Sequence, residues 1–361
     1  MPIETLPPLF VALLLAAGQS KAERLSPAEL ADVRALVAAA DRAIKGEVSP
    51  ERRLRLTWHA LKAPDGRTYV PFTLAIEDVP EDAFSSVALY VRVARRGERR
   101  TSAELDRRVG PTGVQVPVFA FDAAASASAA LRLLDRPDQP HDRYAYEAAH
   151  FTPVWWAEGT GIVRRAFVVP PGRYDIYIAV REQAAAVPPG REPRTALLKQ
   201  ALDVPDLSRP GLAMSTPILA ERVEPLSRPL EPEEQLARPY ALGSAEIVPA
   251  SAPVFTASDR PIVFFLVYHA GMDGNGKPDV EVTYRIARAG AEAEPVGPPR
   301  SVRYDASTLA PEFDLRVGHQ LAPLQPLDLE GLTPGSYRLQ IQVTDRLGRA
   351  AVSHDIAFTI R

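Results

Sequence analysis

The sequence predicts an all-β fold, two tandem β-sandwiches behind a short N-terminal helix. Two phrases, each written twice and in the same order, predict it. Pro170-Pro171-Gly172-Arg173-Tyr174-Asp175-Ile176-Tyr177-Ile178-Ala179-Val180 returns as Thr333-Pro334-Gly335-Ser336-Tyr337-Arg338-Leu339-Gln340-Ile341-Gln342-Val343. Each is a Pro-Gly turn, then Tyr, then alternating polar and apolar residues, the pattern of a half-buried strand entered through a tight corner. The second phrase, Tyr90-Val91-Arg92-Val93-Ala94-Arg95-Arg96-Gly97, resembles Thr283-Tyr284-Arg285-Ile286-Ala287-Arg288-Ala289-Gly290. Two strands that recur in order imply two copies of one all-β unit.

Bulk composition agrees with that reading. The 361 residues suffice for two domains that each bury a core. With 46% hydrophobic and 24% charged residues and a formal charge of −3, the chain is globular and lacks the basic stripe of a nucleic-acid binder. Its 36 prolines fall between strand-like runs, where they suit rigid turns and forbid long helices. Cysteine is absent, which removes disulfides, thiolate metal sites and cysteine nucleophiles.

Taken in order, residues 1–22 read as a signal peptide or N-terminal anchor. Leu9–Gly18 is a ten-residue apolar run, shorter than the ~20 residues that span a bilayer. An amphipathic helix is expected over 23–49. Ser26-Pro27-Ala28-Glu29 forms a capping box, and Leu30, Val33, Leu36, Val37, Ala40 and Ile44 recur at helical spacing up to Gly46. The first sandwich then covers 50–205, with strands at Leu54–Leu61, Tyr69–Ile76, Val87–Ala94, Val114–Phe121, Ile162–Val169, Tyr174–Val180 and Leu197–Val204. From Pro205 to Pro253 nine prolines mark an irregular connector that holds a strand near Leu212–Leu219. The second sandwich completes 206–361 with strands at Ile262–Tyr268, Val280–Ala287, Ser301–Tyr304, Phe313–Val317, Tyr337–Val343 and Ala351–Ile360.

The corners Leu332-Thr333-Pro334-Gly335-Ser336-Tyr337 and Val169-Pro170-Pro171-Gly172-Arg173-Tyr174 resemble the tyrosine corner of immunoglobulin-like and fibronectin type III folds. The resemblance implies immunoglobulin-like sandwiches in which Tyr174 and Tyr337 lock their corners by a hydroxyl bond to the upstream backbone. Val204-Pro205-Asp206-Leu207-Ser208, Met214-Ser215-Thr216-Pro217-Ile218-Leu219, Phe264-Phe265-Leu266-Val267-Tyr268 and the Pro334-Gly335 corner also make the second half similar to a family of exported proteins common in acidobacteria and related phyla. Some neighbours of that family bear GWxTD or von Willebrand A modules. Their motifs are missing from this chain, so nothing those modules do carries over.

Motifs that carry chemistry are sparse. The six histidines form no His-x-x-x-His or His-Glu-x-x-His, and the grouping of His141 and His150 with nearby acids reads as a solvated loop. Asp273-Gly274-Asn275-Gly276-Lys277-Pro278-Asp279 has a calcium-loop look but carries Lys277 and Tyr284 where that pattern needs oxygen ligands, so it reads as a hairpin connection. No nucleophile elbow, phosphate loop or dinucleotide fingerprint is present. No catalytic residue, metal site or cofactor is therefore expected. Arg92, Arg95, Arg96, Arg99 and Arg100 read as a solvated edge.

One region stands out. Between equivalent strands the first unit is about 30 residues longer than the second, and the surplus falls in 123–156, a length that in a compact domain is usually functional or disordered. Its aromatics, Tyr144, Tyr146, Trp155 and Trp156, either form a docking or ligand-binding surface, being side chains that anchor interfaces, or one or both Trp plug the core or cover a sheet edge. The expected role is a non-enzymatic exported scaffold or interaction protein, periplasmic or extracellular. Its expected partner is a protein at the cell envelope, with membrane-complex association through the N-terminus and no nucleic acid. The alternative is a carbohydrate- or peptide-binding module that uses the aromatics of 144–156.

Overall fold

The computed structural model describes residues 25–47, 53–63, 65–78, 84–96, 144–157, 159–228, 230, 234–235, 238–290 and 295–361. The signal segment 1–22 and the expected strand Val114–Phe121 lie outside them. The described chain is all-β apart from one helix, with its strands in several sheets that are antiparallel except for one short parallel contact.

Helix α1 spans Pro27–Ile44 and starts where the capping box places it. Ser26 Oγ accepts from the Glu29 backbone N–H, and the Glu29 carboxylate accepts from the Ser26 N–H at 2.7 Å. Pro27 fills the first turn, where its missing N–H costs nothing. The apolar stripe Val33, Leu36, Val37, Ala40 and Ala43 is buried against Ala88, Tyr90, Ala149, Tyr177, Ala179 and Leu197.

The strands that follow are β1 Leu54–Trp58, β2 Leu61–Lys62, β3 Thr68–Ile76, β4 Ser86–Arg95, β5 Tyr146–Pro153, β6 Trp155–Ala157, β7 Thr160–Val169, β8 Gly172–Glu182 and β9 Thr195–Val204. They form two sheets. One has the order β1-β3-β7-β6 with β2 on β3, and the other β5-β4-β8-β9. Between them lies a core of alternate residues, among them Phe72, Leu74, Leu89, Val91, Val163, Ile176 and Ile178.

The second half contributes β10 Ala213–Met214, β11 Ile218–Pro225, β12 Ala241–Leu242, β13 Ala245–Pro249, β14 Val254–Phe255, β15 Ile262–Phe264, β16 Val267–Tyr268, β17 Val280–Arg288, β18 Arg300–Tyr304, β19 Leu324–Pro326, β20 Gly335–Asp345 and β21 Ala350–Ile360. Its sheets run β12-β13-β11-β15-β19 and β14-β21-β20-β17-β18, with β10 paired to β16. A separate core that includes Val263, Phe265, Val282, Leu339, Ile341 and Val343 fills the space between them.

The two halves agree in order and register. The run β5-β4-β8-β9 has its counterpart in β18-β17-β20-β21, and β1-β3-β7 in β11-β15-β19. Arg95 stands opposite Tyr174 as Arg288 does opposite Tyr337. The outer faces differ. Where the first half has Tyr90, Tyr177, Ala179 and Leu197 under the helix, the second has Thr283, Gln340, Gln342 and Ser353. A polar face needs no such cover.

The sheet β1-β3-β7-β6 has cover on both sides. Every residue of β3 is buried, because its inner side chains meet the first core while Tyr69 on the other face packs with Leu242 and Leu266 of the second half. Hydrogen bonds cross this seam. Tyr69 donates to the Pro239 carbonyl (2.6 Å), His59 Nδ1 meets the Tyr240 hydroxyl (2.9 Å), and Ala60 and Thr216 exchange backbone and side-chain bonds. The Lys62 N–H donates to the Tyr268 hydroxyl and Arg55 to the Ser251 carbonyl.

Several expectations need correction. Phe313–Val317 is not a strand. Leu315–Val317 is a short 3-10 turn, capped by the Asp314 carboxylate and closed by Gly318 at φ +89°. Ile262–Tyr268 is interrupted at Phe265-Leu266, where the chain passes from pairing with β11 to pairing with β10. Residues 146–157 are not part of an insertion but the strands β5 and β6, one in each sheet of the first pair. The Pro-rich connector carries β10 to β13, because its prolines sit at strand ends and turns.

Candidate functional site

Strands β5 and β6 decide where the four aromatics of 144–156 point. Tyr146 lies opposite Val93 and packs against the first core, its ring 5.5 Å from Phe167, and burial raises its pKa. Trp156 also leans on that core, with its ring 5.5 Å from Phe84 and its Nε1–H donating to the Phe84 carbonyl at 3.1 Å. Successive residues of a strand face opposite ways, so Trp155 turns outward beside Ile162 and remains 41% exposed. Tyr144 lies 4.3 Å from the Arg92 guanidinium. The four do not share one platform; Trp155 alone offers a large exposed surface.

Beside Phe84 a cleft of about 60 Å³ opens at the end of the first sheet pair. Its floor is Ile76, Phe84, Val87 and Val180, and its rim is Arg53, Glu77, Glu182 and Arg194. That volume is about that of two water molecules. Glu182 is the most constrained group there. Burial alone raises its pKa, but the Arg194 side chain and N–H, together with Arg191, outweigh this and hold it at about 2. The rim carboxylate is therefore a fixed anion in ion pairs and a poor proton shuttle.

Within the basic stretch at the end of β4, Arg92 is not on a solvated edge, and Arg99 and Arg100 lie outside the described residues. Arg92 is fully buried under α1 and bonds Asp41 (2.5 Å), Glu147 (3.0 Å) and the Tyr90 hydroxyl (2.7 Å). Arg95 lies over the Tyr174 ring and Arg96 pairs with Asp175. A second ion pair, Asp32 with Arg181 at 3.0 Å, fastens the other end of the helix, and Asp32 also accepts from the Ala184 N–H. The sequence reading missed both pairs because their partners lie on elements far apart in the chain. The one available signal was acidic Asp32 and Asp41 flanking the apolar stripe of α1.

The corner tyrosines both make an i−4 bond. Tyr174 donates to the Pro170 carbonyl (2.6 Å) and Tyr337 to the Thr333 carbonyl (2.7 Å), and Gly172 and Gly335 each sit at φ +153°. Asp273 accepts from the Asn275 and Lys277 N–H groups, and Lys277 Nζ donates to the Ala310 and Pro311 carbonyls. The Asp273 carboxylate is thus taken up by the loop's own N–H groups, and the Lys277 ammonium is held by carbonyls outside the loop. Among the described residues no group of three or more His, Asp or Glu is placed to hold a metal ion.

Two histidines are held neutral by their surroundings. His59, in the seam, is pushed down to about 3 by burial and then by His354. Burial and then Arg165 bring His150 to about 3 as well, and its Nε2 has no hydrogen-bond partner among the described residues. Among the described residues no helix is long and apolar enough to cross a membrane.

No family model and no curated protein matches the chain. Among solved structures it is similar, at 11% identity and a TM-score of 0.19, to a Salmonella alpha-2-macroglobulin mutant, over 87% of this chain and 17% of that one. What the described residues define is a β-rich class of protein, several mostly antiparallel sheets with one short helix.

Proposed function

We propose that this chain is a non-enzymatic, exported scaffold or interaction protein made of two tandem immunoglobulin-like sandwiches, serving as an accessory subunit of a cell-envelope or membrane-bound assembly. The observation that carries the reading is the seam. Two sheet pairs of matching strand order are joined through a buried face that includes Tyr69, His59, Tyr240 and Tyr268, so their loop ends are held at a fixed spacing. Fixed spacing is what a scaffold contributes to its partners. The apolar run at Leu9–Gly18 and the resemblance of the second half to exported proteins support the location.

Crosslinking and pull-down from the native envelope fraction test this. The expected result is a defined partner, retained by the intact chain and lost when the seam is broken by Tyr240→Ala. Recovery of the chain only in the cytoplasm, or no reproducible partner after crosslinking, contradicts it. A second reading, a carbohydrate- or peptide-binding module, is favoured by Trp155 alone. Glycan-array binding that disappears in a folded Trp155→Ala variant is its signature.

A further inference from the structure

The edges of the sheets are not equally protected. Strands with an exposed edge normally carry a charge, a proline or a bulge, or are very short, because a free ladder of N–H and C=O groups pairs with whatever strand it meets. In this molecule β6, β12 and β19 have three residues or fewer, β18 carries Arg300 and Arg303, and β5 ends in Pro153. On β9, Lys199 lies over the Tyr177 ring while Leu197 packs under α1.

Strand β21 has fewer of these devices. Over its eleven residues, Ala350 to Ile360, it has no Lys, Arg, Pro or Gly, and its register with β20 is unbroken. On its other side β14 pairs only with Thr359 and Ile360, in parallel. The Thr359 and Arg361 N–H groups point to that side, donating to Pro253 and Phe255. By strand alternation the N–H and C=O groups of Ala351, Ser353, Asp355 and Ala357 point there too, and no strand among the described residues meets them. Val352 and Ile356 are only partly buried against the second core, so the core is incompletely closed along the same stretch.

We propose that this edge is an interface between two copies of the chain, formed by antiparallel pairing of β21 with β21 of the second copy across a two-fold axis at Ser353. The strand's own sequence matches the pairing. In that register Ser353 faces its own copy, Asp355 faces Ala351, and His354 faces Val352, so no like charges meet. Asp355 is already paired with Arg338 at 3.4 Å. Residues with outward N–H and C=O groups stand opposite one another, as an antiparallel ladder requires. Val352 and Ile356 gain cover from the partner's strand on the inner face. The inference rests on sheet order and edge chemistry, independently of the envelope role proposed above.

Sedimentation of the full chain over a micromolar to several-hundred-micromolar range tests it. The expected result is a monomer–dimer equilibrium in the wild type that is lost in Ser353→Pro, which removes an outward donor without touching the ladder to β20. Ser353→Lys, which places a charge against its own copy, gives the same loss and serves if the proline variant does not fold. Amide exchange adds a residue-level readout, with Ala351, Ser353 and Asp355 protected only at the higher concentrations. A wild type that stays monomeric throughout overturns the proposal, as does a dimer that survives both substitutions. A monomer that instead captures a strand from another protein also overturns it.

Discussion

Tyr174 and Tyr337 each donate to a carbonyl four residues upstream, at the point where the chain turns between sheets. An intramolecular hydrogen bond of this kind contributes about 1 kcal/mol net. Tyr337→Phe is therefore expected to lower the unfolding free energy by about 1 kcal/mol, read as a shift in denaturant midpoint at constant slope. The seam histidine has a different signature. Its pKa is about 3 in the folded chain against 6.5 when unfolded, so the unfolded state binds more protons between those values. Its contribution is complete above pH 6.5 and is lost progressively as pH falls towards 3. By pH 5 the loss is about 2 kcal/mol for such a group. His150 adds a loss of the same sign, so His59→Gln reduces the acid sensitivity without abolishing it. Denaturation curves at pH 7.5 and pH 5 check this; an unchanged pH dependence in the variant contradicts it.

At the scale of elements, helix α1 shows what was legible and what was not. Its start, its end and its apolar stripe are written locally in Ser26–Glu29, Gly46 and the spacing of Val33, Leu36 and Ala40, and the structure puts them where spacing predicts. Its docking is not local. The partners Arg92 and Arg181 come from strands distant in sequence, and Arg92 read as surface because its own neighbours are arginines. For the same reason strands β5 and β6 were hidden, since aromatics at alternate positions describe an interface as well as an edge strand that feeds a core. Phe313–Val317 has strand-like composition, but Asp314 and Gly318 set a capped turn and local propensity yields to them. Leu36 is fully buried at the centre of the helix contact. Leu36→Ala is expected to cost about 2–4 kcal/mol and to release the helix to protease before the sheets unfold; cleavage at the same rate as in the wild type contradicts that docking.

For the molecule as a whole, the two halves have matching strand orders and each encloses a hydrophobic cluster, while nothing in the repeated phrases describes the packing of one half upon the other. A strand such as β3, buried on both faces, reads as a near-continuous apolar run, and Thr68–Ile76 does so. What covers its second face is set by Tyr240, Leu242 and Leu266, about 170 residues or more away in the chain. The layers then follow in the order helix, sheet, sheet, sheet, sheet, with the seam in the middle. A chain with no cysteine permits a direct test, because two can be introduced without competition. Spin labels at Ala201→Cys on β9 and Arg285→Cys on β17, both exposed positions on the outermost sheets, report the distance between the halves. The account predicts one narrow distance distribution that broadens when Tyr240→Ala opens the seam. A broad distribution in the otherwise unaltered chain, as from two sandwiches on a loose tether, contradicts it.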